Sequence, residues 1–354
     1  MAKTSILKNR RQFLAGAASV AIAAPYVISS TARAQNKVVY VNTWGGSWTA
    51  AEDAAFFKPF TAATGIEVRT VTPVSYAKLK AQVQSGTYEW DVSSPSQTQT
   101  LRADLEGLLE PIDRKIVDKN KVPDDMTFHK GVNNSALSYN ICYRTDKFPN
   151  GGPKSWADFW DVQKFPGRRS LYSGDAVIAA LQGLLADGVP PGKMYPADVD
   201  RAFKSLDKIK PHIKVWWTQG NQSQQLLRDD EVDMIAIWNA RGTELKTQGV
   251  PVEVVWNGAL QSMGCWIVAK GSPNKGAAWE FVQFAVQPQP QAEFAKRLFY
   301  GPSNAKAYEF LTPEIAKELP TYPPYLKESL ILDPVWGGEN SNKVEERFKA
   351  WIAS

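Results

Sequence analysis

The residues best equipped to do chemistry in this sequence are its tryptophans. Thirteen occur among 354 residues, and Trp44, Trp48, Trp216, Trp217, Trp238 and Trp256 fall at expected strand ends or in turns rather than all on helix faces. Strand ends are where small ligands meet α/β sheets. An aromatic face attracts an ammonium group with roughly 0.5 to 2 kcal/mol and packs against a methylene chain at the same time. Packing inside a core or between lobes is the other role open to each of them. Nucleophilic, metal and cofactor chemistry is served much less well. His129 and His212 are the only histidines, and neither has Cys, His or Glu at zinc-ligand spacing. Trp44-Gly45-Gly46 lacks the spacing of a phosphate or dinucleotide loop, and no motif pairs the carboxylates. The residues therefore predict binding rather than catalysis, with no cofactor and no metal.

The elements that must position these side chains read as an α/β fold. A Val- and Tyr-rich strand over 37–43 ends in Trp44-Gly45-Gly46-Ser47-Trp48. A helix over 50–64 with a Gly65 stop, a strand over 66–71 and a helix over 78–85 follow, and Trp90-Asp91-Val92 leads into a polar segment over 93–99. That βαβα order predicts a mostly parallel sheet with helices on its faces. After a strand over 135–143, the Pro149-Asn150-Gly151-Gly152-Pro153 break opens a second unit. It holds strands at 169–172, 214–217 and 234–238 and helices at 176–186, 197–209 and 223–228. Strands over 252–256 and 263–269 and a set of helices complete the chain, with Pro288 and Pro290 ending the first of those helices.

Asn9-Arg10-Arg11-Gln12-Phe13-Leu14 precedes an Ala- and Gly-rich apolar run, and Ala32-Arg33-Ala34 offers a cleavage site before Gln35. Residues 1–34 thus read as a twin-arginine export signal and the remainder as a periplasmic protein. The precursor's net charge of +5 resides in this segment. Removing Lys3, Lys8, Arg10, Arg11 and Arg33 takes 41 basic residues to 36, against 36 acidic ones, which gives no support for a nucleic-acid footprint. Some 320 remaining residues favour two lobes over one core.

The order of segments resembles the polyamine-binding group of periplasmic solute-binding proteins. Val41-Asn42-Thr43-Trp44-Gly45-Gly46, Trp90-Asp91-Val92, Ser138-Tyr139-Asn140, Tyr143-Arg144-Thr145-Asp146-Lys147, Ser155-Trp156-Ala157-Asp158, Ile235-Ala236-Ile237-Trp238 and Ile267-Val268-Ala269-Lys270-Gly271 carry the likeness. It implies a two-lobed type II binding protein, monomeric, serving the membrane permease of an ABC importer, with its ligand in the cleft and closure by hinge bending. The lobes expected from it are 35–140 with 265–302, and 141–264 with 303–354. Crossing strands near 140–143 and 264–266 would bring Cys142 and Cys265 together, so the resemblance implies a disulfide between them.

One departure from the family pattern bears on the ligand. Where polyamine binders carry Trp-Ser-Gly-Asp or a close variant, with the Asp on a ligand amine, this chain reads Trp238-Asn239-Ala240-Arg241. Arginine cannot pair with an ammonium but suits a carboxylate. Where the family often has two acids, Asp175 alone is present in Ser173-Gly174-Asp175, and a helix N-cap is its other reading. The expectation is a receptor for a short amino acid with separated charges such as 4-aminobutyrate (GABA). Arg241 would hold the carboxylate and Asp175 the amine. Trp44, Trp238 and Trp217 would surround the carbon chain, with Gly46, Ser47, Ser93 and Ser94 as neutral hydrogen-bonding groups. Two alternatives stay open: a polyamine held by other acids such as Asp91 or Glu244, and an exported enzyme using a metal through carboxylates alone.

Overall fold

The computed structural model describes residues 38–354, so the expected export signal lies outside the described residues. The strands are β1 (Val38–Asn42), β2 (Glu67–Val71), β3 (Val92–Ser93), β4 (Thr127–Phe128), β5 (Gly131–Arg144), β6 (Arg169–Tyr172), β7 (Ile213–Trp217), β8 (Met234–Trp238), β9 (Val252–Val268), β10 (Gly301–Pro302) and β11 (Leu330–Ile331). They follow the order β2-β1-β3-β9-β5-β8-β6-β7, with β4 and β10 added on β5 and β11 on β9. At one end β1 pairs in parallel with β2 and β3; at the other, β6 pairs in parallel with β7 and β8. The long strands β5 and β9 run antiparallel between these two ends.

Each end has its own apolar core. Around β1 and β3, Val39, Val41, Phe56, Phe60, Trp266, Trp279 and Phe281 are buried together. Around β6 and β8, Ile141, Leu171, Ile178, Leu181, Leu206, Met234 and Phe348 form another. Burial of such side chains contributes roughly 1.5 to 3 kcal/mol each. The all-apolar β8 sequence, Met-Ile-Ala-Ile-Trp, fits a strand covered on both faces. Side-chain caps start many of the helices: Ser75, Ser96, Ser155, Asp175, Asp198 and Asp333 each accept a first-turn N–H.

The structure revises several expected boundaries. The first helix begins at Gly46 rather than near residue 50, and runs to Thr64 through a π-helical stretch, Asp53–Phe57. The two strands expected over 252–256 and 263–269 are one, because the residues between them continue to pair with β5 through register shifts. Pro288 and Pro290 open the helix Pro288–Leu298 rather than only closing its predecessor, since a first-turn proline forfeits no helical hydrogen bond.

The expected disulfide is not formed. Cys142 and Cys265 are both free and buried. On the β5–β9 ladder Cys142 faces Val254 whereas Cys265 faces Asn133. Nine residues along a strand span about 30 Å, whereas a disulfide needs Cα atoms about 5.5 Å apart. Placing one cysteine on each crossing strand was sound, but antiparallel register puts them at opposite ends.

Candidate ligand site

A cavity of about 600 Å³ lies where β5 and β9 pass between the two ends of the sheet, lined there by Asn134, Ser135, Ser262, Met263 and Gly264. Its first wall is the loop after β1. Gly45 (φ 91°) and Gly46 (φ 55°) both occupy left-handed backbone, which strains any residue with a Cβ. This turn leaves Trp44 46% exposed on the cavity. Beneath it, Asn42 Nδ2 donates to the Val71 and Pro73 carbonyls at 3.0 and 2.9 Å, and Ser93 Oγ donates to Asn42 Oδ1 at 2.9 Å. The Gly45 amide donates to Thr49 Oγ1 at 3.1 Å, and the Thr43 and Thr49 hydroxyls lie 3.0 Å apart. Thr43 also donates to Glu52, a carboxyl that burial pushes up to about 8 although that hydrogen bond opposes the shift. Trp48, on the cavity wall, meets Tyr300 edge to face at 4.7 Å.

The second wall is carried by β8 and the helix Asn239–Thr247. Trp238, the last residue of β8, stands edge to face with Trp217 at 5.5 Å, and Trp217 is fixed by donating its Nε1 to the Ala236 carbonyl at 2.8 Å. Gly220 permits this packing: a Cβ there would sit 2.7 Å from Trp238 Cζ3 and 3.1 Å from Arg241 Nε. Arg241 lies in the first turn of the helix, its side chain 34% exposed, with Nη1 3.3 Å from Glu244 Oε2 and 3.4 Å from Gln224 Oε1. Gln224 Nε2 donates to the same Glu244 oxygen at 2.8 Å. An ion pair this exposed contributes little on its own. Arg241 can therefore turn its planar fork to a ligand carboxylate and gain two charge-assisted hydrogen bonds.

Asn239 joins the second wall to the segment after the helix Pro288–Leu298. It is fully buried, accepts from the Ser138 amide at 3.0 Å and donates to the Phe299 carbonyl at 2.7 Å. Phe299 (φ 56°) turns the chain so that Tyr300 also reaches the cavity. Burial pushes the Tyr300 phenol up to about 12, with Arg241 opposing, so it is a neutral hydrogen-bonding group at ordinary pH.

The model of the family described as bacterial extracellular solute-binding protein matches residues 55–323. The chain belongs to that family. It is 36% identical over 332 residues to the gamma-aminobutyric acid-binding protein of Pseudomonas aeruginosa, an alignment covering 92% of this chain and 94% of that one. It is 27% identical to the spermidine/putrescine-binding periplasmic protein of Escherichia coli over 78% of this chain and 82% of that one. Among solved structures, an ABC transporter substrate-binding protein from Bradyrhizobium japonicum superposes with a TM-score of 0.84 at 36% identity, covering 89% of this chain and 99% of that one. The Atu4243 GABA receptor gives 0.82, also at 36% identity, with 89% and 98% covered. The fold is therefore that of the two-lobed periplasmic binding proteins.

Against this solute-binding framework the expected site residues divide. Trp44, Ser47, Ser94, Trp238 and Arg241 meet on the cavity. Gly46, Ser93, Asp175 and Trp217 do not line it. Gly46 shapes the turn, Ser93 supports Asn42, and Trp217, fully buried, backs Trp238. Asp175 caps the helix Ala176–Ala186, accepting from the Val177 and Ile178 amides at 2.9 and 3.4 Å. Burial pushes its carboxyl up even though those amides oppose the shift. Of the acids weighed for a polyamine, Glu244 is on the cavity, while Asp91 is buried and bonded to Ser272, Asn274 and the Tyr40 amide. The site reading missed Trp48, Tyr139, Asn134 and Tyr300. Trp48 and Tyr139 sat inside motifs already singled out, whereas nothing local marked Tyr300, which a buried asparagine 61 positions earlier brings to the site.

Proposed function

We propose that this protein is the periplasmic substrate-binding component of an ABC-type importer, closing around a small amino acid with separated charges, 4-aminobutyrate or a near relative. The observation that carries this reading is Arg241, a guanidinium on an aromatic-walled cavity between Trp44 and Trp238. It is supported by the likeness to proteins named for gamma-aminobutyric acid. Arg241 takes the carboxylate, Trp44 and Trp238 flank the carbon chain, and Ser47 and Ser94 supply neutral hydrogen bonds. Closure bends β5 and β9 where their pairing is irregular, at 133–136 and again at 139–141 on β5, and the lobes divide along this stretch. The closed form binds ligand more tightly than the open one, and that difference drives the motion. The permease subunits then recognise the closed monomer, which reaches the periplasm on a twin-arginine signal.

A polyamine is the second reading, favoured by the spermidine/putrescine-binding relatives and by Glu244 on the cavity. A thermal-shift screen of ligand-stripped protein separates them. A ligand at about 100 times its Kd adds roughly 2.7 kcal/mol, so 4-aminobutyrate raises Tm while putrescine and spermidine do not. The reverse pattern would establish the polyamine reading.

A further inference from the structure

The cavity bears an unequal charge set. Among the described residues its lining includes two guanidiniums, Arg241 and Arg297, and a single carboxylate, Glu244. Glu244 is also held by neutral donors, its two oxygens accepting from Gln224 at 2.8 Å and Gln248 at 3.3 Å, so it stays bonded when Arg241 turns to a ligand. Asp175 caps its own helix through Oδ1 and does not line the cavity. Neutral acceptors and aromatic faces remain for a ligand's cationic end. Ser94 is only 4% exposed, and its Oγ reaches no hydrogen-bond partner although the residue lines the cavity. A buried hydroxyl without a partner is unfavourable unless something else meets it, and a ligand donor at this wall would do so. Tyr139 and Trp238 add ring faces, their centroids 6.5 Å apart.

Resting on the carboxylate reading of Arg241, we infer that the pocket holds the far end of its ligand without an ion pair, through Ser94 and the aromatic faces. It therefore selects for one carboxylate and accepts an uncharged hydrogen-bonding group at the other end, so short ω-hydroxy acids are ligands as well as ω-amino acids. Loss of a cation–π attraction changes affinity by about tenfold or less. Loss of one partner from a desolvated ion pair leaves the other charge unpaired and changes it a hundredfold or more.

The test is calorimetric titration of ligand-stripped protein with 4-aminobutyrate, 4-hydroxybutyrate and putrescine. The expected result is binding of both acids within about tenfold of each other. A hydroxy acid that binds a hundredfold more weakly than the amino acid overturns the inference while leaving the carboxylate reading intact. Binding of putrescine with neither acid overturns both. Two variants locate any hidden partner. Glu244→Gln is expected to raise affinity for 4-aminobutyrate a few-fold by releasing Arg241. Asp175→Asn, which keeps the helix cap, is expected to change it by less than about threefold. A hundredfold loss in either variant would identify that carboxylate as an ammonium partner and end the proposal.

Discussion

The two walls of the cavity are built on different physical principles. The loop after β1 is shaped by backbone and neutral groups: two left-handed glycines, the Thr43 and Thr49 hydroxyls, and a carboxyl at Glu52 that burial keeps protonated near neutral pH. The wall after β8 is shaped by aromatic packing and carries charge, with Trp238 held against Trp217 and Arg241 held loosely by Glu244 and Gln224. The contrast teaches that the first wall fixes the shape of the site while the second decides the charge of what enters. Each wall rests on its own apolar core, and the Asn239–Phe299 hydrogen bond links the two sides by placing Tyr300 against Trp48.

Arg241→Ala is the largest test of this division. Two hydrogen bonds from a charged donor contribute about 3 kcal/mol or more, so affinity for 4-aminobutyrate should fall a hundredfold or more in a calorimetric titration. The Tm of the ligand-free protein should hardly move, because the Glu244 pair is largely exposed. A large loss of Tm would mean that Arg241 is structural. Gly220→Ala should have an intermediate effect of a different kind. Its new Cβ meets the Trp238 ring at 2.7 Å, and overpacking costs about 1 to 3 kcal/mol. Tm and affinity should fall together, and titration of Trp fluorescence should show the ring displaced.

On the first wall the test is pH. Glu52 holds its proton up to about 8 when folded, against 4.5 for an ordinary glutamate. Between these values the unfolded chain binds fewer protons than the folded one, so stability falls as pH rises through that window and levels off above it. Glu52→Gln should therefore raise Tm by a few degrees at pH 8 and leave it unchanged at pH 4. Equal effects at both values would show that Glu52 is not held neutral.

How much of this was legible in the sequence follows the same division. Trp44 and Trp238 stood at strand ends, and Arg241 stood out beside Trp238, because short-range patterning fixes what lies at the end of a strand or in the first turn of a helix. Asp175 was legible as a cap and less so as a ligand group, since one carboxylate in a first turn satisfies both readings until its partners are known. Tyr300 was hidden because its place depends on a contact between Asn239 and the Phe299 carbonyl. The cysteines were misread for a similar reason. Which strands are neighbours could be inferred, but the register between them is a tertiary quantity that a shift of a few residues changes entirely.

The smallest effect expected is the one that separates the two halves most cleanly. Cys142 sits in the core behind the second wall, beneath Gly242 and beside Val254, while Cys265 sits in the core behind the first wall with Leu79, Trp90 and Ile267. Burial pushes both thiols up, that of Cys265 to about 12, so neither is reactive at neutral pH. With no covalent tie between the halves, reducing agent should leave both Tm and ligand affinity unchanged. Thiol labelling of protein unfolded without reductant should count two free groups, whereas folded protein should label slowly or not at all. A count of zero together with a Tm lowered by reductant would require a register of β5 on β9 different from the one seen here, and would tie the two cores covalently.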